Sequence, residues 1–141
     1  MTRSSASSAN RLLPQKSHWI LAVDDEENMC RVIIDTLSLD GLRGVSAQDG
    51  ESALRALDAN ATEPLLVITD VLMPGMDGMT LARKLQSRLK RSTIVLMSGH
   101  LSDTSWWPAD LRELSFLAKP FQPGALQALV QAARLEYDRS S

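Results

Sequence analysis

Apolar residues along this chain gather into five short runs, each closed by a polar residue, with segments of helical period between them. The first run, Trp19-Ile20-Leu21-Ala22-Val23, is rich in β-favouring residues, reads as a buried strand and stops at Asp24-Asp25-Glu26. Behind it Met29, Val32, Ile33, Thr36 and Leu37 fall at i, i+3, i+4, i+7 and i+8, which predicts one apolar helix face, with Gly41 as its stop. Arg43 to Ala47 reads as a weaker strand, and Asp49 as the cap of a second helix carrying Ala53, Leu54 and Leu57. Leu65-Leu66-Val67-Ile68-Thr69 is apolar enough to be covered on both faces, as a central parallel strand is, and it ends at Asp70.

The turn residues Pro74-Gly75-Met76-Asp77-Gly78 follow, then a helix with Leu81, Ala82 and Leu85, its start capped by Asp77. A fourth strand, Thr93 to Met97, ends at Ser98, and a fifth, Ser115 to Ala118, ends at Lys119-Pro120. The last helix has Pro123 in its first turn and Leu126, Leu129, Val130 and Ala133 on one face. Strands alternating with helices predict a parallel sheet built from right-handed β-α-β units. Asp24, Asp25, Asp70, Ser98 and Lys119 then all lie just past the C-terminal ends of strands, the edge at which open α/β sheets bind ligands.

Composition narrows the reading. A chain of 141 residues, 44% hydrophobic and 23% charged, suits one soluble α/β domain. Residues 1–17, rich in Ser and Ala without a period, predict a flexible lead-in, leaving 18–137 as the folded unit and 138–141 as a tail. With 15 Lys+Arg against 17 Asp+Glu the net charge is −2, which predicts no nucleic-acid binding by this chain. One cysteine, Cys30, cannot make an internal disulfide and is expected to be a packed thiol in a reducing, cytoplasmic setting. No apolar run is long enough to span a bilayer.

Like charges at one strand edge are unfavourable: two carboxylates about 4 Å apart repel by on the order of 4 kcal/mol at an effective dielectric near 20. A cation relieves this, and a donor set of hard oxygens without Cys or His suits Mg²⁺ and not zinc. In such a set a carboxylate can form an acyl phosphate. Asp70, ending the central strand, is the candidate nucleophile, Lys119 the candidate cation for phosphoryl oxygens, and Ser98 a hydroxyl donor.

Asp24-Asp25-Glu26, the stretch Asp70-Val71-Leu72-Met73-Pro74-Gly75-Met76-Asp77-Gly78, Ser98-Gly99 and Lys119-Pro120-Phe121 resemble, in order and spacing, the response-regulator receiver domains of two-component signalling. The resemblance covers nearly all of residues 18–136. It implies a doubly wound, flavodoxin-like five-stranded parallel sheet of order 2-1-3-4-5 with helices on both faces. It also implies Asp70 as phosphoacceptor, fed by a histidine kinase or histidine phosphotransfer protein, and a Mg²⁺ site of Asp25, Asp70 and the Leu72 backbone carbonyl, with Asp24 assisting largely through water. Ser98 and Phe116 would be the switch pair, Lys119 the phosphoryl-binding cation, and the Lys119–Pro120 peptide cis. A downstream protein target, and a homodimer through the fourth helix, fifth strand and fifth helix, follow the same pattern.

The sequence departs from that pattern between Gly99 and Leu114, where Trp106-Trp107-Pro108 interrupts the helical period and predicts a short or irregular fourth helix starting near Pro108. At least one of the paired rings is expected to be exposed as part of the readout face, and His100 to be a bystander. Two other classes compete. An aspartyl-phosphate phosphatase of the haloacid dehalogenase type places its nucleophile on the first strand with a second Asp two residues later, whereas Asp24 and Asp25 are adjacent. A phosphate-independent interaction module would have no need of the five polar positions, all of which are present.

Overall fold

The computed structural model describes residues 18–73, 75–99, 108–111 and 113–139. Ten elements follow in order: β1 (Trp19–Val23), α1 (Glu27–Ser38), β2 (Arg43–Ala47), α2 (Gly50–Asp58), β3 (Leu66–Asp70), α3 (Gly78–Arg88), β4 (Thr93–Ser98), a 3₁₀ turn (Ala109–Leu111), β5 (Ser115–Ala118) and α4 (Pro123–Arg139). All strand pairs are parallel, in the order β2-β1-β3-β4-β5, the predicted 2-1-3-4-5. Leu21 lies opposite Val45 on one side and Val67 on the other.

Strand alternation sorts the core into two layers. Trp19, Leu21, Val23, Val67, Ile94 and Leu96 face α2 and α3 and meet Ala53, Leu57, Leu81, Ala82 and Leu85. Ile20, Ala22, Leu66, Ile68, Val95 and Met97 face α1 and α4 and meet Cys30, Ile33, Leu37, Leu126, Val130 and Ala133. The central strands β1 and β3 are therefore buried on both faces, and the polar side chains of β3, Thr69 and Asp70, sit at its C-terminal end.

The predicted caps are in place: Asp49 accepts the Ser52 amide at 2.7 Å and Asp77 the Thr80 amide at 2.8 Å. Gly41, three residues past α1, takes the positive φ of 79° that the reversal needs. The inward face of α1 differs from the expected one. Val32 is half exposed, and Cys30, Ile33 and Leu37 are the buried set. The reason is local: the Cys30 thiol seats at the end of β1, 3.4 Å from the Ala22 carbonyl, and rotates the face toward itself. Of the stretch in which a short or irregular fourth helix is expected, the described residues hold the 3₁₀ turn Ala109–Leu111 just after Pro108, while residues 100–107, with His100, Trp106 and Trp107, lie outside the described residues. The last helix runs to Arg139, two residues beyond Tyr137.

Glu63, which carried no signal in the sequence, fastens the N-terminal edge of the sheet. Its carboxylate accepts the amides of Lys90, Arg91 and Ser92 at 3.0, 2.7 and 3.1 Å, which holds the α3–β4 turn against the start of β3. Tyr137 donates its hydroxyl to the Glu63 carbonyl at 2.9 Å, and the Arg91 guanidinium lies 4.0 Å from the Tyr137 ring centre. Partial burial pushes the Glu63 carboxyl up, but the donated amides outweigh it and hold the group below its usual value. A carboxylate depressed on folding stabilises above its unfolded pKa and loses that contribution as pH falls through the folded one. Glu63→Gln is therefore expected to cost about 1–2 kcal/mol at neutral pH, a figure kept modest because the site is partly wet. Urea titrations at several pH values should show the gap to wild type narrowing below about pH 4.

Candidate functional site

Five side chains reach the C-terminal edge of the sheet because each strand ends there. Asp24 follows β1, its amide bonded to the Ala47 carbonyl of β2 at 3.0 Å. Asp70 is the last residue of β3, and Val71 donates to the Met97 carbonyl at 3.0 Å. Ser98 closes β4, and its carbonyl accepts the Lys119 amide at 2.8 Å, so the backbones of these two residues are directly joined. The Lys119–Pro120 peptide is cis, as expected.

Asp24 is fully buried and both of its carboxylate oxygens are engaged: Oδ1 accepts the Glu26 amide at 2.9 Å and Oδ2 the Lys119 ammonium at 3.0 Å. The same ammonium lies 3.4 Å from Asp70 Oδ2. Asp24, Asp25 and Asp70 each bring an oxygen within 4.8 Å of the others, with Asp25 exposed and Asp70 at the rim of the buried region. Burial first, then the Asp24 carboxylate, push the Asp70 carboxyl above its usual value, against the pull of Lys119 and of the Leu72 amide. Burial alone would lower Lys119, but its hydrogen bond to Asp24 and the attraction of both carboxylates more than offset this and raise it.

Three carboxylates and one ammonium leave the cluster two charges negative. That residue of charge, together with an all-oxygen donor set open to solvent through Asp25, fits a hard divalent cation. Ser98 is buried 28 residues beyond Asp70 at the neighbouring strand end, and Phe116, opposite Leu96 on β5, is half-buried against the α2/α3 layer. Leu72 is 62% exposed, and its amide points to the Asp70 carboxylate.

Two features of the site were not read from the sequence. The Glu26 amide is a main-chain donor and leaves no residue signal. Gly78, quoted only as part of a turn, is required because a Cβ there would collide with the Asp70 carbonyl, and its amide bonds the Val71 carbonyl at 2.9 Å. The start of α3 therefore rests directly on the backbone of Asp70.

The family profile described as "Response regulator receiver domain" matches residues 20–131. The chain belongs to this family. A probable transcriptional regulator, ycf27, of Porphyridium aerugineum is 32% identical over 124 residues, 86% of this chain and 50% of that protein. The alkaline phosphatase synthesis transcriptional regulatory protein PhoP of Bacillus subtilis is 31% identical over 114 residues, 80% of this chain and 47% of that protein. This receiver chain thus spans about half the length of those two curated relatives. Among solved structures, the receiver domain of NtrX from Brucella abortus superposes with TM-score 0.71 at 31% identity, over 81% of this chain and 96% of that one. The response regulator TrrA of Thermotoga maritima, in complex with Mg²⁺-BeF, gives 0.71 at 27% identity over 82% and 98%. Receivers are signalling domains of two-component response regulators and generally bind Mg²⁺. Among the described residues no helix is long and apolar enough to cross a membrane.

The charge excess makes an energetic prediction for this receiver without divalent cations. Asp70→Asn removes one repelling carboxylate and is expected to stabilise by about 1 kcal/mol, whereas Lys119→Met leaves Asp24 buried without its counter-ion and should cost about 2–3 kcal/mol. A carboxyl raised on folding favours the fold below its unfolded pKa and loses that advantage as pH rises through the folded value, so the Asp70→Asn gain should vanish in acid. Urea unfolding in EDTA at neutral and acid pH measures both effects.

Proposed function

We propose that this receiver accepts a phosphoryl group on Asp70 from the phosphohistidine of a histidine kinase or histidine phosphotransfer protein, and in doing so changes the surface it offers a downstream protein. The observation that carries the reading is the ammonium of Lys119 shared between Asp24 and Asp70 at one edge where Asp25 completes an acidic triad. Asp70 Oδ attacks phosphorus, the O–P bond forms as the imidazole P–N bond breaks, and the donor histidine departs as imidazole. Lys119, already within reach of Asp70, takes a phosphoryl oxygen as its partner, and the Ser98 hydroxyl donates to another.

Asp25, Asp70 and the Leu72 carbonyl would hold Mg²⁺ directly and Asp24 mainly through water, which agrees with both Asp24 oxygens being engaged. Bound there, Mg²⁺ supplies charge that neutralises the transferring phosphoryl oxygens. Movement of Ser98 toward the phosphoryl group frees space into which Phe116 turns, coupling the site to the face formed by the 3₁₀ turn, β5 and α4. That face is our candidate surface for the target or for a second copy of this chain. Moving such an equilibrium from about 1:99 to 99:1 takes roughly 5.5 kcal/mol of differential interaction. We take residues 18–137 as the receiver unit and the cytoplasm as its setting.

Incubation with a small acyl-phosphate donor and Mg²⁺ is expected to add one phosphoryl group, stable in acid and labile in base, that mass spectrometry no longer finds in Asp70→Asn. An unmodified wild type would overturn the reading. Asp25→Ala should weaken Mg²⁺ binding at least tenfold by calorimetry, and Ser98→Ala should still take the phosphoryl mimic beryllofluoride while its amide shifts respond far less than those of wild type.

A further inference from the structure

Among the described residues of the connection between β4 and β5, the helical ones are the three of the 3₁₀ turn Ala109–Leu111. So short a 3₁₀ turn has almost no stability of its own, and its described backbone bonds are local ones, Leu111 to the Pro108 carbonyl and Leu114 to the Leu111 carbonyl, each 3.1 Å. Its position must be set by side chains. Leu111 is one anchor, fully buried in the α2/α3 layer with Leu81, Ala82 and Leu85. Asp110 is the other: its carboxylate takes a two-pronged hydrogen bond from the Arg83 guanidinium of α3, Nε to Oδ2 at 2.8 Å and Nη2 to Oδ1 at 3.3 Å. Arg83 holds the Asp110 carboxyl below its usual value, as a persistent partner does.

The elements that carry the pair also rest on the site's backbone and share an apolar layer with the half-buried Phe116. At one end, α3 begins on the backbone of Asp70 and Val71 through Gly78, and Arg83 lies five residues along the same helix. At the other end, Leu114 and Phe116 pack against the same apolar layer as Leu111. Any shift of the Ala109–Leu111 turn relative to α3 has to strain the Arg83–Asp110 pair.

We propose that Arg83 and Asp110 form a latch that holds the 3₁₀ turn Ala109–Leu111 on α3 in the unphosphorylated protein and opposes a phosphoryl-driven shift of that turn. This rests on the phosphoryl reading of the Asp70 site. The latch adds a specific brake: one ion pair takes part in fixing the resting position of the turn on α3.

The test uses the full chain with Mg²⁺ and beryllofluoride, and four proteins: wild type, Arg83→Gln, Asp110→Asn and the double variant. Amide NMR follows the beryllofluoride titration, and hydrogen exchange at Leu111 and Leu114 reports the free state. Each single variant is expected to lower the beryllofluoride midpoint about two- to fivefold, the scale of an exposed ion pair, and to speed exchange at those amides by a similar factor. The double variant should match the singles, because the pair is already broken in each. A charge exchange, Arg83→Asp with Asp110→Arg, should return the midpoint toward wild type. Wild-type midpoints and exchange in both singles, or additive effects in the double, would overturn the latch. If wild type itself takes up no beryllofluoride, the phosphoryl reading fails and the latch fails with it; if wild type responds and the variants respond identically, the latch alone is wrong.

Discussion

A buried carboxylate has to be neutralised or satisfied, and in this chain that requirement falls on Asp24. With no exposed surface, it draws the Glu26 amide to one oxygen and the Lys119 ammonium to the other. The second of these contacts fixes the relation between the first and last strands' ends, 95 residues apart in sequence, and carries the ammonium to within 3.4 Å of Asp70. One ammonium shared between Asp24 and Asp70 cannot balance three carboxylates, and the cluster stays two charges short of balance. An apolar sheet buried on both faces offers those charges no place except its rim, so the fold and the site have one origin.

The two ends of the sheet are built oppositely. At the N-terminal edge Glu63 spends its carboxylate on three amides, Tyr137 closes onto the Glu63 carbonyl, and Arg91 stacks on Tyr137. These bonds satisfy one another and tie that edge together. At the C-terminal edge, among the described residues, the carboxylates outnumber their cation. One edge is thus tied by paired groups, and the other keeps an excess of charge.

The strand ends were legible because the signal was coarse: each apolar run stops at a polar residue, and parallel topology brings those stops together whatever the details of packing. Asp49 and Asp77 were legible as caps for the same reason, since a cap acts on amides two or three residues away. What stayed hidden acts over distance or through the backbone. Glu63 reaches residues 90–92, and Arg83 meets Asp110 across 27 positions with no periodicity to mark either. The face of α1 was misread by one position because a period built on aliphatic residues passed over Cys30, whose small thiol fits the end of β1 where Val32 does not.

The way the 3₁₀ turn after β4 is held bears on how such a domain can be tuned. A full helix resists displacement through its own hydrogen bonds and through an apolar stripe several residues long, so many substitutions must accumulate before its resting position changes. Here the described part of the connection is held by one leucine in the core and one ion pair at the surface. Burial of Leu111 is common to any arrangement that keeps the apolar layer dry, and its loss would damage the fold. The ion pair is solvent-exposed on both sides, with 47% and 56% of each side chain accessible, so it can be altered with little damage to the core. The consequence is a division of labour in which Leu111 keeps the segment folded and Arg83 with Asp110 sets where it rests. That division places the adjustable element of the domain on its surface, where substitution changes a balance and leaves the structure intact.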